Sequence, residues 1–238
     1  MLIPIHPLRV DPEKIAFQMC ESGEQVTFAQ LEDRANQVAH WVADSGILPG
    51  EHVAVLMNNC RELLELCFGL DRSGVYYTLI STRLTTDEIA YIVRDCGARL
   101  FVYTPTLEAV DQSLFDKLPS TLQCMSVGEY QVQPAHGNWR FECAQKPTTP
   151  TPQAWQGSDM LYSSGTTGRP KGVLYSHRAV ILHSFSQGLI DSLGIGERDV
   201  VLLPPHRARA HALEAALEAD RVEEVGRRER RLEVGQQP

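Results

Sequence analysis

Residues 161–172 combine the side chains and the backbone freedom that a phosphate-binding loop needs. The segment reads LYSSGTTGRPKG, so that two serines, two threonines, three glycines and a lysine stand close together. A polyphosphate requires several converging donors, a backbone that can approach it closely, and a cation. The segment supplies all three, and the sequence therefore predicts an anion-binding loop.

We expect all ten residues from Ser163 to Gly172 to take part in binding. Glycine permits a positive φ and has no Cβ in the way, and the hydroxyl groups add donors beside their own amides. Lys171 is the predicted catalytic cation. The predicted binding residues are Ser163, Ser164, Gly165, Thr166, Thr167, Gly168, Arg169, Pro170, Lys171 and Gly172.

Pro170 indicates what kind of connection the loop makes. Proline fixes its own φ and disfavours the helical region for the residue before it, here Arg169. Apolar runs at 160–162 and 173–175 flank the loop. The pattern therefore predicts a connection between two strands and not a loop that opens a helix.

The charge around the loop also favours an anionic ligand. Residues 160–190 contain no Asp or Glu, although the chain carries 30 acidic residues and a net charge of -8. Two other interpretations compete. Such Ser/Thr/Gly tracts are often solvated turns, and a P-loop NTPase also binds phosphate. Its lysine follows glycine and precedes Ser or Thr, whereas Lys171 follows proline and precedes glycine.

Composition limits the remaining function classes. The chain has 238 residues and is 43% hydrophobic, enough for one large domain or two small ones. Its acidity argues against a nucleic-acid binder. No run approaches a membrane span and the N-terminus lacks a signal-peptide pattern, so we expect a cytoplasmic protein without a transmembrane segment. The six cysteines show no zinc spacing, and we expect buried, reduced thiols.

Hydrophobic periodicity predicts an α/β fold with alternating strands and helices and a largely parallel sheet. Capping boxes begin helices at Thr27 and Thr85. Residues 129–158 are expected to form an irregular connection, and His177 a structural histidine. The predicted strands are 52–57, 75–80, 99–103, 122–127 and 199–205, and the further predicted helices are 61–70, 106–115 and 178–194.

The string YSSGTTGRPKGV resembles the phosphate-binding signature of the acyl-adenylate-forming (AMP-binding) enzymes, closest to fatty-acyl-CoA synthetases. The segments 27–59 and 73–103 resemble the same family's opening units. The resemblance covers residues 10–205 in order. It implies a partial N-terminal lobe of the family fold.

The resemblance also implies a reaction. A small-molecule carboxylate, here a fatty acid, attacks the α-phosphorus of ATP to give an acyl-adenylate and pyrophosphate, and the thiol of coenzyme A then displaces AMP. ATP, coenzyme A and Mg²⁺ are the implied cofactors and co-substrates, and the family elements that hold Mg²⁺ are expected outside the matching part. Lys171 would stabilise the departing pyrophosphate.

The sequence after Pro205 departs from the family pattern. We expect an incomplete AMP-binding domain over 1–205, with an α/β lobe at 10–128, the connection at 129–158 and the phosphate hairpin, a helix and a strand at 159–205. Residues 206–238 form an atypical tail rich in Arg, Ala and Glu. Our hypothesis is a frameshift or truncation near residue 206, which sequencing of the gene tests.

Three functional readings stay open at this point. The chain is an acyl-CoA synthetase by descent, or a non-catalytic nucleotide-binding remnant, or an unrelated α/β binding module. Because the family's later elements are not found in this sequence, we expect the chain alone to be inactive. We also expect exposed apolar surface near Val200 and Leu203 to favour self-association.

Overall fold

A computed structural model gives the fold. It describes residues 11–128, 137–151, 157–163 and 170–176, and the single residues 179, 182, 186, 189, 199 and 200. Residue contacts divide the chain into a unit over 1–174 and a second unit over 175–238. The predicted helix at 178–194 and strand at 199–205 lie almost wholly outside the described residues. His177 and the tail at 206–238 lie outside them too, and the domain boundary at 205 stays a prediction.

The first unit alternates strands and helices, as predicted. Its strands are β1 (Ile15–Gln18), β2 (Gln25–Thr27), β3 (His52–Leu56), β4 (Tyr76–Leu79), β5 (Ala98–Tyr103), β6 (Gln123–Ser126), β7 (Ser158–Ser163) and β8 (Lys171–Leu174). Its helices are α1 (Phe28–Asp44), α2 (Arg61–Arg72), α3 (Thr86–Asp95), α4 (Gln112–Phe115) and α5 (Trp139–Ala144).

The strands form a two-stranded sheet and a six-stranded sheet. The larger sheet has the order β6-β5-β3-β4-β7-β8. All its pairs are parallel except β7 with β8, which are antiparallel. The prediction of a largely parallel sheet is confirmed. β1 and β2 pair separately as an antiparallel hairpin, which the sequence analysis did not anticipate.

The two predicted capping boxes are present. The Thr27 side chain accepts from the Gln30 amide while the Gln30 side chain accepts from the Thr27 amide, and Thr85 and Glu88 make the same exchange. Each box satisfies two amides that the first helical turn leaves without partners. α1 ends beside Gly46, whose φ of 74° is the left-handed conformation that glycine adopts without strain.

The core lies around β3, where all five residues are buried. Helices cover the sheet, and one continuous apolar cluster joins α3 and α4 to β3 and β5 through side chains such as Leu56, Ile89 and Phe101. A parallel strand covered on both faces reads as an unbroken apolar run, which is how HVAVLM identified β3.

Three predictions about this unit are wrong. The helix expected at 106–115 is only the short α4, because Asp111 caps it by accepting from the Leu114 amide and the preceding residues form turns. The connection at 129–158 contains α5. Cys20 is exposed in the turn between β1 and β2, whereas Cys67, Cys124 and Cys143 are buried as expected.

No helix in the described part of the chain is long and apolar enough to cross a membrane.

Candidate functional site

The predicted phosphate loop joins two antiparallel strands. β7 and β8 pair from Met160 opposite Leu174 to Ser163 opposite Lys171. The prediction of a strand-to-strand connection is confirmed. Pro170 stands directly before β8, where its missing N–H takes no bond from the ladder. Residues 164–169, which carry most of the predicted donors, lie outside the described residues.

Lys171 begins β8 with an exposed side chain. The register sets its backbone opposite Ser163, so the two residues close the loop from its two ends. An exposed ammonium group at the mouth of such a loop can reach a ligand held by the loop amides. The roles of Lys171 and of the other nine predicted residues in binding stay predictions.

Gly172 lies in close contact with side chains of the paired strand and does not have a positive φ. Its φ lies outside the positive range, which corrects the expected reason for this glycine. A Cβ at this position would lie 2.8 Å from Met160 Sδ and 3.1 Å from Tyr162 Cζ. The side chains of β7 therefore lie across the glycine on the paired strand, and the absent Cβ leaves room for them.

A polar cluster on α3 touches both ends of the loop, and the sequence analysis missed it. The Tyr162 hydroxyl donates to Asp95 Oδ2 at 2.7 Å. The Tyr91 hydroxyl lies 3.3 Å from Asp95 Oδ1 and 3.3 Å from the carbonyl oxygen of Pro170. Tyr91 and Asp95 are one helical turn apart, a spacing that could have suggested a shared target.

The base of the hairpin carries two buried carboxyl groups. Asp159 on β7 stands opposite Tyr77 of β4, and Asp71 ends α2 close by. Burial and, after it, the charge of Asp159 raise the pKa of Asp71 to about 8. The Gly157 amide donates to the backbone carbonyl of Asp71 at 2.5 Å, which joins α2 to the start of β7.

No group of three or more His, Cys, Asp and Glu side chains that could hold a metal ion occurs among the described residues. The residues that would bind Mg²⁺ therefore stay an expectation of the family resemblance, and no step is assigned to the metal.

Comparison with known proteins finds CoA ligases among the relatives of this chain. The chain is 29% identical over 213 residues to 3-methylmercaptopropionyl-CoA ligase of Ruegeria pomeroyi, covering 83% of this chain and 38% of that protein. It is 29% identical over 178 residues to a long-chain-fatty-acid–CoA ligase of Thermus thermophilus, covering 75% of this chain and 33% of the relative. The matched part of the chain thus spans between 33% and 38% of the length of these relatives.

A solved structure shares the fold and a similar level of identity. The anthranilate CoA ligase AuaEII, crystallised with anthranoyl-AMP, superposes with a TM-score of 0.69 at 28% identity, over 78% of this chain and 36% of that one. The fold is therefore the α/β fold of part of an acyl-CoA ligase. The family profile described as AMP-binding enzyme matches residues 6–215, beyond the expected boundary at 205. Because that match covers most of the chain, the chain belongs to the AMP-binding enzyme family.

Proposed function

We propose that this chain forms the phosphate-binding part of an enzyme that activates a carboxylic acid, most simply a fatty acid, with ATP and transfers the acyl group to coenzyme A. The observation that carries the proposal is the β7–β8 hairpin, which closes the SSGTTGRP loop with Lys171 exposed at its mouth. Family membership supports it, since the curated relatives include CoA ligases. An unrelated α/β binding module is no longer a candidate.

The chemistry assigns a defined role to the loop. A carboxylate oxygen of the acid forms a bond to the α-phosphorus of ATP, and the bond from that phosphorus to the bridging oxygen breaks. Negative charge builds on the departing pyrophosphate, where the loop donors and the Lys171 ammonium stabilise it. In the second step the sulfur of coenzyme A bonds to the acyl carbon, AMP leaves, and the thiol proton passes to solvent.

Replacing Lys171 tests this role directly. Where carboxylate-dependent exchange between pyrophosphate and ATP is measurable, in this chain or in a full-length relative with the same loop, we expect Lys171→Ala to lower it about 100-fold, because a charge-stabilising donor is lost at the transition state. Binding of the carboxylate should change little, since the lysine acts on the other substrate. The measurement is the exchange rate with fatty acids of several chain lengths, together with calorimetric titration of the acid.

Two variants serve as controls for this experiment. Lys171→Arg keeps the positive charge and should retain more exchange than the alanine variant. Lys117→Ala removes another lysine, one that pairs with Asp87 at 2.8 Å on the surface, and should leave exchange unchanged. Exchange that is measurable above background and equal in Lys171→Ala and in the unmodified protein would contradict the assignment.

A non-catalytic nucleotide-binding role is the second candidate. The matched relatives are much longer than this chain, and further groups of their active sites are expected outside the matched part. Titration of the 238-residue chain with ATP separates the two candidates. ATP binding with fatty-acid-dependent exchange supports the ligase, whereas ATP binding without exchange supports the non-catalytic role. Cytoplasmic location and self-association stay predictions, and light scattering tests the latter.

A further inference from the structure

The hairpin receives limited support from the sheet that it extends. In the described part of the chain, β7 pairs with β4 only through Ser158 and Asp159. From Met160 onward the partner of β7 is β8, all of whose residues are exposed. The end of the hairpin that carries the loop therefore projects beyond the ladder, and it needs another attachment to hold a fixed position.

Tyr162 supplies an attachment from the strand before the loop. Its hydroxyl donates to Asp95 Oδ2 at 2.7 Å, and its ring lies against Gly172 on the opposite strand. Burial and the hydrogen bond to Asp95 raise the pKa of Tyr162, so the phenol keeps its proton and remains a donor at neutral pH. One side chain thus joins β7, β8 and α3.

Tyr91 supplies an attachment from the segment after the loop. Its hydroxyl has a single proton and faces two acceptors at 3.3 Å, Asp95 Oδ1 and the carbonyl oxygen of Pro170. Pro170 cannot donate a backbone bond of its own, so the carbonyl contact is the polar link that this residue can offer. The two carboxylate oxygens of Asp95 are therefore divided between the two ends of the loop.

We propose that Asp95 is a positioning residue that fixes both ends of the phosphate loop to α3, through Tyr162 before the loop and Tyr91 after it. The attachment stands on the contacts above, whereas its meaning for ATP rests on the proposed function. A loop whose ends are fixed loses less conformational entropy when an anion binds than a loop whose ends are free. Asp95 acts through these tyrosines and does not itself contact the phosphates.

Hydrogen exchange in the absence of nucleotide tests the attachment. Tyr162→Phe removes one oxygen and keeps the ring on Gly172, and we expect the ladder amides of β7 and β8 to exchange at least about fivefold faster. Asp95→Ala should have the largest effect and Asp95→Asn a smaller one, because the amide retains one acceptor. Tyr91→Phe should act mainly on the Pro170 side. Amides of β3 and α1 should be unaffected.

Matched controls keep the result interpretable. Tyr76→Phe removes a half-buried hydroxyl that makes no hydrogen bond to the described residues, and it should leave exchange in the hairpin unchanged. The double variant Tyr162→Phe/Asp95→Ala should exchange no faster than Asp95→Ala alone, because both changes break one interaction. Hairpin exchange in Tyr162→Phe equal to that of the unmodified chain, or additive effects in the double variant, would overturn the proposal.

A titration with ATP then separates this proposal from the function on which it rests. If both hold, Tyr162→Phe and Asp95→Asn weaken ATP binding about fivefold without changing the affinity for the carboxylate. Faster hairpin exchange in a chain that binds no ATP would support the attachment and refute the phosphate assignment. Unchanged hairpin exchange in the variants, together with ATP binding that depends on Lys171, would refute the attachment and support the phosphate assignment.

Discussion

β3 and β8 belong to the same six-stranded sheet and differ in almost every physical respect. β3 has strands on both sides and all five of its residues are buried. β8 pairs with one strand among the described residues, and all four of its residues are exposed. The interior strand is held by packing from every direction. The edge strand depends on one ladder and a few side-chain contacts, which leaves its backbone and Lys171 accessible to a ligand.

The difference shows how this fold separates stability from binding. Burying a valine or leucine side chain contributes about 1.5–3 kcal/mol. β3 buries three of them, Val53, Val55 and Leu56, which makes its location difficult to change. Binding an anion requires donors that are not already occupied by the protein. The exposed Lys171 is the donor that the proposed function would use, and the contacts with α3 replace some of the order that burial provides elsewhere.

The largest expected effect on stability is at Gly69, where α2 packs on α1. A Cβ at Gly69 would overlap the side chain of Val38, which is branched at Cβ and cannot rotate away. Alanine would gain about 1 kcal/mol of helix propensity, but we expect the overlap to win and Gly69→Ala to lower the free energy of unfolding by about 2 kcal/mol. Urea denaturation followed by tryptophan fluorescence measures it, and a variant as stable as the unmodified chain would contradict the close approach.

Asp71 lies where α2 meets the start of β7, and its titration tests the contact between the core and the hairpin. Its pKa of about 8 in the folded state lies above the ordinary value of 3.8. The folded chain therefore holds this proton to a higher pH than the unfolded chain does, and stability should be full below pH 4 and fall as the pH rises to about 8. We expect a loss on the order of 1 kcal/mol or more between pH 5 and pH 9.

Asp71→Asn should remove most of that dependence, because the amide resembles the protonated carboxyl and does not ionise. Urea denaturation at pH 5 and pH 9 makes the measurement. Asp33→Asn, on the exposed face of α1, is the matched control and should keep the slope of the unmodified chain. An unchanged slope in Asp71→Asn would show that another group causes the dependence.

Gly172→Ala should have the smallest effect and sharpens the comparison of the two regions. The added Cβ would meet Met160 Sδ at 2.8 Å, but this thioether is the end of a flexible side chain that can move. We expect the free energy of unfolding to change by less than about 1 kcal/mol. A loss as large as that in Gly69→Ala would show that the hairpin is packed as rigidly as the core.

Much of the core could be predicted because its signals are local. HVAVLM identified β3 because an apolar run of strand length suits a parallel strand covered on both faces. Thr27 and Thr85 marked helix starts because a capping box depends only on residues three apart. The predictions failed where local signals competed. The helix expected at 106–115 begins only at Gln112, because the side chain of Asp111 caps it by accepting from the Leu114 amide.

Part of the candidate site could be predicted from local sequence signals, and part could not. The strand-to-strand loop followed from Pro170 and the flanking apolar runs. The role of Gly172 did not, because its close neighbours, Met160 and Tyr162, lie on the other strand. Asp95 was missed because its partner Tyr162 lies 67 residues further along the sequence.

The sequence by itself determined the phosphate-loop composition, the family signature and the alternation of helices and strands, since each depends on residues close together along the chain. Only the tertiary structure decided that α3 meets both ends of the loop, that two carboxyl groups share the base of the hairpin, and that β8 lies at the edge of the sheet formed by the described strands. Those features arise from contacts between segments far apart in the chain, and such contacts depend on how the strands are ordered in the sheet.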